Sequence, residues 1–111
     1  MSFNRALGFR VGTDGESIEL EPTAEHEVAP GTIHFAVLAT LGEVAAAHAA
    51  AAPVVPTHLS LQLMSRAVPG TTLVARGRVL KSGRTLIFAE GEVCQGERTV
   101  AKVAVTFARI G

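Results

Sequence analysis

The stretch FAVLATLGEVAAAHAAAA, residues 35–52, decides the fold. It predicts a helix with apolar side chains around nearly its whole circumference, and such a helix is expected to be buried. One carboxylate, Glu43, interrupts it. The residues three and four positions away from Glu43, which would be its neighbours on the helix surface, are Ala39, Thr40, Ala46 and Ala47. No Lys or Arg occurs between positions 11 and 65, so no local cation can pair with Glu43.

An unpaired carboxylate on a buried helix tends to have a raised pKa and to be functional. We therefore interpret Glu43 as a candidate catalytic residue. The alternative is that Glu43 sits at a wet edge or a dimer seam and only solubilises the helix.

Strand patterns precede this helix. Residues 3–11 contain strand formers, Asp14-Gly15 offers a hairpin turn, and residues 17–21 alternate polar with apolar, so we expect two early strands. The helical pattern then starts a few residues after a Pro-Gly turn, with Thr32 as the candidate N-cap.

Four more strand patterns follow the helix. Their ranges are 57–66, 72–80, 85–94 and 99–108, and Pro-Gly, Ser-Gly and Gln-Gly turns separate them. Strands joined by short connections form an antiparallel sheet, and this sheet has to cover a helix that has no other layer to pack against. The predicted fold class is α+β, with an antiparallel β-sheet wrapped around one long central α-helix.

Length and charge limit the function. A chain of 111 residues fits a single domain, residues 1–111. Ten basic and ten acidic residues cancel, which argues against nucleic acid as the main partner. No signal-peptide pattern is visible and the apolar helix is too interrupted for a membrane span, so we expect a cytoplasmic protein with no membrane partner. Residues 66–109 carry eight bases and three acids, an excess that suits a phosphorylated ligand.

Other catalytic chemistries find little support. Asp14, the one aspartate, lies in an expected hairpin turn and is poorly placed for a Ser-His-Asp triad. The four histidines lack metal-ligand spacing and no phosphate-binding glycine loop is present, so we expect no metal and no cofactor. Cys94 is the one cysteine in the sequence, so an internal disulfide is excluded. We expect a structural role for Cys94, and a reactive thiol is the alternative.

The order of these elements, with Gly31-Thr32-Ile33-His34 leading into Leu41-Gly42-Glu43, resembles the hotdog fold and, within it, the acyl-CoA thioesterases of the phenylacetate-pathway (PaaI-like) type. In that family the helix acid falls nine residues after a His, the spacing that His34 and Glu43 keep. Residues 67–73 (AVPGTTL) and 100–107 (VAKVAVTF) look like the family's loop between strands and its terminal strand.

The resemblance implies an acyl-CoA substrate, coenzyme A being part of that substrate, and a homodimer or dimer of dimers with sites between subunits. It makes Glu43 the general base or the nucleophile. The Phe35 N–H, at a helix N-terminus that favours negative charge, is the candidate oxyanion donor. His34 either contacts the thioester region or caps the helix. The substrate-binding candidates are Gly31, which also suits the turn, Ala36, His58 and Ser60. The last two either contribute to the site of the other subunit in trans or serve only in the subunit interface.

Arg66, Lys81 and Arg84 are candidates for the coenzyme A phosphates, although each also fits an ordinary solvated charge. Phe35 and Ala36 replace two family glycines, while Val28 and Ala47 stand where some relatives have polar side chains. The loss of those polar groups keeps a second class open, a non-catalytic module that binds acyl-CoA or another hydrophobic ligand. A dehydratase-like pairing of Glu43 with His48 is a minor further alternative.

Overall fold

The computed structural model describes residues 2–110. Two helices and eight strands are present in this range, together with a 3-10 helix at Ala24–His26. The helices are α1 (Ser2–Leu7) and α2 (Phe35–Ala50). The strands are β1 (Arg10–Val11), β2 (Ile18–Leu20), β3 (Glu27–Ala29), β4 (Thr32–Ile33), β5 (Val54–Leu63), β6 (Leu73–Ser82), β7 (Leu86–Gln95) and β8 (Arg98–Arg109).

Six of the strands form one antiparallel sheet in the order β1-β2-β6-β7-β8-β5, and β3 pairs with β4 in a separate small sheet. The large sheet curls around α2, which contacts β2, β5, β6, β7 and β8. This is the hotdog arrangement that the sequence predicts. None of the helices in residues 2–110 has the length and apolarity needed to cross a lipid bilayer.

The core surrounds α2 in two clusters. Around its N-terminal half, Leu38 and Leu41 pack with Leu73, Val93 and neighbouring apolar residues. Around its C-terminal half, Ala46 packs against side chains that include Ile87, Val103 and Phe107. Burial of these apolar surfaces holds the helix inside the sheet.

Glycines allow the helix backbone to approach the sheet closely. Gly77 of β6 and Gly91 of β7 are register partners, and a Cβ added at Gly91 would meet the Gly42 carbonyl group of α2. A Cβ at Gly77 would meet the Ala45 carbonyl oxygen in the same way. The helix therefore packs on the sheet through its own backbone at Gly42, the residue before Glu43.

Two expectations for the chain before α2 are wrong. Residues 3–7 form α1 rather than a strand, because Gly8 with φ 94° provides a helix C-terminus in which its N–H bonds to Arg5 O and the Phe9 N–H bonds to Asn4 O. Thr32 is not the N-cap of α2. It lies in β4, after a Pro30-Gly31 turn that delays the start of the helix to Phe35.

Candidate active site

Glu43 lies in the middle of α2 and is partly buried. Within residues 2–110 its carboxylate has no hydrogen bond and no ion pair. Burial raises the pKa of the Glu43 carboxyl above its ordinary value, since the charged form loses water without gaining a partner. The structure therefore gives this acid the environment that the sequence predicts for it.

A cavity of about 570 Å³ opens beside Glu43. Its walls come from α2, from the strands at the two edges of the sheet and from the first residues of the chain; the side chains that line it with Glu43 are Asn4, Arg5, Phe9, Arg10, Val11, Ile18, Val44, Ala47, His48 and Val54. Sequence reasoning missed this contribution from the chain start, because it interpreted residues 3–7 as a strand. The one visible signal was Gly8, which ends α1.

The N-terminus of α2 is capped by His34. The Ala36 N–H donates to His34 Nδ1 at 2.9 Å and the Val37 N–H donates to the His34 carbonyl at 3.0 Å. The Phe35 N–H has no acceptor within residues 2–110. Of the first three amides of the helix, only that of Phe35 is left to bind a developing negative charge.

The neighbouring residues Gly31 and Ala36 have structural roles in the protomer. Gly31 adopts φ 79°, which the turn between β3 and β4 needs, and its N–H donates to the Glu27 carboxylate at 2.8 Å. Ala36 is exposed, and its amide is occupied by His34. Both residues lie within a few positions of Phe35 along the chain, and neither lines the Glu43 cavity.

The predicted cations do not gather in one place. Arg66 lines a second cavity, about 310 Å³, together with Phe35, Leu38 and Met64. Lys81 lies opposite Phe88 near the end of β6, and Arg84 lies in the turn to β7.

Lys81 and Arg84 lie near Val79 of β6 and Ile87 of β7, which pack around the C-terminal half of α2. Arg66 and the Lys81–Arg84 pair are thus at opposite ends of the helix within one protomer.

His58 and Ser60 lie on β5, the edge strand of the sheet. Their register partners are Thr106 and Ala104, whereas the alternating Leu61 packs into the core. Since strand side chains alternate between faces, His58 and Ser60 point away from α2. Neither lines the Glu43 cavity or the Phe35 cavity of the same protomer.

The other two histidines, His26 and His48, have specific contacts. His26 Nε2 donates to the Leu7 carbonyl at 2.8 Å, and His26 Nδ1 accepts the Thr23 N–H at 3.0 Å. His48 lines the Glu43 cavity, and its Nε2 donates to the Gly15 carbonyl at 2.8 Å.

Asp14 and Cys94 have contacts that suit structural roles. The Arg76 guanidinium beside Asp14, with the Ser17 and Glu16 amides, holds the pKa of that carboxyl well below its usual range. Its Oδ2 accepts from Arg76 at 2.6 Å and its Oδ1 accepts from residues of its own loop, so no oxygen of Asp14 faces a histidine in residues 2–110. Cys94 is half-buried, 3.8 Å from the Thr99 hydroxyl.

Solved structures share this architecture. The PaaI protein of the Escherichia coli phenylacetic acid degradation operon superposes with a TM-score of 0.91 at 22% identity, covering 100% of this chain and 86% of that one. A point mutant of the Thermus thermophilus phenylacetic acid degradation protein PaaI gives 0.91 at 24% identity, covering 99% and 100%. A Bacillus halodurans protein crystallised with coenzyme A gives 0.85 at 20% identity, covering 99% and 76%.

These identities support the fold and leave the substrate open. No curated protein matches the chain. The sequence profile of the thioesterase superfamily, however, matches residues 30–102, which include β4, α2, β5, β6, β7 and part of β8. This match contains both the Glu43 carboxylate and the capped helix N-terminus. The chain therefore belongs to the thioesterase superfamily.

Proposed function

We propose that the chain is an acyl-CoA thioesterase in which Glu43 acts as general base or nucleophile and the Phe35 N–H stabilises the oxyanion. The observation that carries the proposal is an unpaired, partly buried carboxylate in a cavity whose lining is partly apolar. A raised pKa makes the Glu43 carboxylate a stronger base, which suits a group that has to accept a proton near neutral pH.

The chemistry needs two groups near one carbonyl. As water attacks the carbonyl carbon, a Glu43 oxygen takes its proton and negative charge grows on the carbonyl oxygen; the C–S bond then breaks, and the leaving thiolate takes the proton from Glu43 and departs as the thiol. In the nucleophilic variant a Glu43 oxygen attacks the carbon first and the C–S bond breaks to expel the thiolate; water then hydrolyses the resulting anhydride, which releases the carboxylate product and regenerates Glu43. Neither route requires a metal.

One protomer does not bring the two groups together. Phe35 and Glu43 are eight residues apart on α2, which corresponds to about 12 Å along the helix axis. They also line different cavities. An oxyanion donor and a base that serve the same carbonyl have to lie within a few ångströms of it, so we propose that Glu43 of one protomer works with the Phe35 amide of its partner.

The surface supports such a dimer. β5 is ten residues long and is an edge of the sheet, with no strand from residues 2–110 on its outer side. Leu59 and Leu63, on the same strand face as the core residue Leu61, are 39% and 55% exposed. An open apolar edge strand is a surface that another chain readily covers. We propose a homodimer through β5, with a dimer of dimers as the larger alternative.

Coenzyme A recognition is proposed from two observations. The structurally similar Bacillus halodurans protein was crystallised with coenzyme A, and Arg66 of this chain lies in the cavity that contains Phe35. Arg66 is thus the best-placed cation for a phosphate at this helix N-terminus. Lys81, Arg84, His58 and Ser60 contribute under this proposal only to a site shared with another subunit.

The second candidate is a module that binds acyl-CoA without turnover. Ala47 favours it, because this residue lines the Glu43 cavity and offers no hydroxyl to orient a water molecule. Val28 also favours it, because valine has no polar group; this residue is 57% exposed and lines neither cavity.

Thiol release from acetyl-, hexanoyl-, decanoyl- and phenylacetyl-CoA separates the two functions. The wild type is expected to hydrolyse at least one of them, and Glu43→Gln is expected to lower kcat by about 100-fold or more. Saturable binding with no turnover by the wild type would establish the module instead. Equal rates for wild type and Glu43→Gln would refute the role of the carboxylate.

Phe35→Pro tests the oxyanion donor alone. Proline is tolerated at the first helical position, and His34, with φ −62° and ψ 135°, already has the backbone conformation that a residue before proline prefers. The substitution removes the N–H and keeps the helix, so kcat is expected to fall by about 100-fold. Phe35→Ala is the matched control, because it removes the ring and keeps the donor. A kcat in Phe35→Pro equal to that in Phe35→Ala would exclude the amide.

A further inference from the structure

Residues 2–11, which comprise α1, Gly8, Phe9 and β1, border the cavity beside Glu43. We call them the N-terminal segment. Five of these residues line the Glu43 cavity: Asn4, Arg5, Phe9, Arg10 and Val11. Among the residues that the structure describes, no other continuous segment of that length contributes as many, so the shape of the cavity depends on where this segment lies.

The lining is chemically divided. Phe9 and Val11 face a pocket completed by apolar residues of the core and the edge strands, namely Ile18, Val44, Ala47 and Val54. The guanidinium groups of Arg5 and Arg10 are on exposed residues of the same cavity, and Arg10 is bound to Glu19 and Glu21 at 2.9 Å each. The apolar part beside Glu43 suits an uncharged hydrocarbon or aromatic acyl group.

We infer that the N-terminal segment is the acyl-selecting wall of the site, with Phe9 limiting the size of the acyl group and His26 acting as the positioning residue that holds the wall in place. This inference rests on the proposed thioesterase function and adds to it the element that determines substrate length.

The connections of the segment support a positioning role for His26. The segment joins the sheet through only two register pairs, Arg10 with Glu19 and Val11 with Ile18. The carbonyl of Leu7, at the end of α1, accepts the Nε2–H of His26 at 2.8 Å. This bond ties α1 to a part of the chain outside the β1–β2 hairpin.

His26 also links the segment to the helix N-terminus. Its Nδ1 accepts the Thr23 N–H, which completes a capping box of the 3-10 helix and fixes the neutral tautomer with hydrogen on Nε2. Its carbonyl accepts the N–H of His34, the residue that caps α2, at 2.8 Å. One residue therefore connects the wall of the Glu43 cavity with the turn that presents the Phe35 amide.

Phe9→Ala tests the wall directly, with Phe3→Ala as the matched control. Phe3 is in the same segment, is 66% exposed and does not line the cavity. Phe9→Ala is expected to raise the ratio of kcat/KM for decanoyl-CoA over acetyl-CoA by about tenfold, because a changed fit in an apolar pocket is worth roughly 10- to 200-fold in discrimination. Phe3→Ala is expected to leave that ratio unchanged.

His26→Glu and His26→Gln test the positioning residue. A Glu at this position still closes the capping box but has no hydrogen to donate to Leu7, whereas a Gln has both an acceptor and a donor. His26→Glu is expected to raise the same ratio several-fold and to speed amide hydrogen exchange in residues 2–11. His26→Gln is expected to restore the wild-type ratio and the wild-type exchange.

Failure of this inference differs from failure of the function. If the wild type hydrolyses none of the thioesters, the proposed function is wrong and the acyl wall with it. If the wild type is active and neither Phe9→Ala nor His26→Glu changes the ratio, the wall assignment alone is wrong. Should Phe9→Ala not fold, Phe9→Leu and His26→Glu carry the test, and an unchanged ratio in both overturns the inference.

Discussion

Gly91→Ala probes the contact that fixes the height of Glu43 above the sheet. A Cβ built at Gly91 would lie against the Gly42 carbonyl oxygen, 2.8 Å from the carbonyl carbon and 2.9 Å from Cα. Ordinary contacts of a Cβ begin at 3.4 Å, so the helix has to move by about 0.6 Å from the carbonyl carbon alone. The added methyl group is fixed to the β7 backbone and meets backbone atoms of α2, so neither partner can rotate away as a long side chain would.

The expected cost follows from overpacking. Inserting one methyl group into a close-packed contact costs about 1–3 kcal/mol, and a rigid backbone neighbour favours the upper part of that range. Reduced freedom of the unfolded chain returns about 0.5 kcal/mol. A net loss of roughly 2 kcal/mol lowers Tm by about 8 °C for a domain of this size.

Thermal unfolding at one fixed protein concentration measures the effect, because the stability of an oligomer depends on concentration. Gly96→Ala is the control. No atom of the described residues lies within 4 Å of its added Cβ, so its φ of 64° alone sets a cost of about 1 kcal/mol. The displaced helix should also lower kcat in Gly91→Ala and not in Gly96→Ala. A Tm for Gly91→Ala equal to that of the wild type would show that helix and sheet are not in backbone contact here.

Two further predictions concern Glu43 and the edge strand. Because folding raises the pKa of Glu43, its ionisation destabilises the folded state at neutral pH, and that penalty disappears as the pH falls below the ordinary Glu value. Glu43→Gln should therefore raise the free energy of unfolding at pH 7, and the gain should fade as the pH falls below the ordinary Glu value, in urea titrations; destabilisation at pH 7 would reveal an unrecognised partner of the carboxylate. Leu59→Lys should convert the proposed dimer to monomer in sedimentation velocity and abolish turnover, whereas Leu80→Lys, also at an exposed leucine but on β6, should leave the proposed dimer intact. A dimeric, active Leu59→Lys would place the interface elsewhere.

The central helix and the main strands could be predicted because their patterns are long and regular. Residues 35–52 predicted α2 to within two residues of its observed end, and alternation in residues 57–66 predicted β5 with a shift of three residues. Glu43 was identifiable because its isolation from cations is a property of the sequence itself. That isolation held at the level of contacts in the folded chain.

The features that could not be predicted from the sequence depend on short elements and on where residues lie along the sheet. Gly8 turned strand formers into α1, and the Pro30-Gly31 turn moved the helix start past Thr32, since one residue with a special φ outweighs the propensities around it. Charge composition could not say which end of α2 each cation reaches, so Lys81 and Arg84 were grouped with Arg66 although the fold separates them. The close approach at Gly77 and Gly91 requires coordinates, because a glycine in a strand signals several different features.

The claim on which the account depends is that Glu43 of one protomer and the Phe35 amide of its partner act on the same thioester. Mixing Glu43→Gln with Phe35→Pro chains, after subunits have exchanged, tests it. In a mixed dimer one site has both wild-type groups and the other has neither. Turnover should then recover to about a quarter of the wild-type rate, because about half of the dimers are mixed and each has one intact site. A turnover rate no higher than that of the two parent variants, in samples shown to contain mixed dimers, would contradict the shared site.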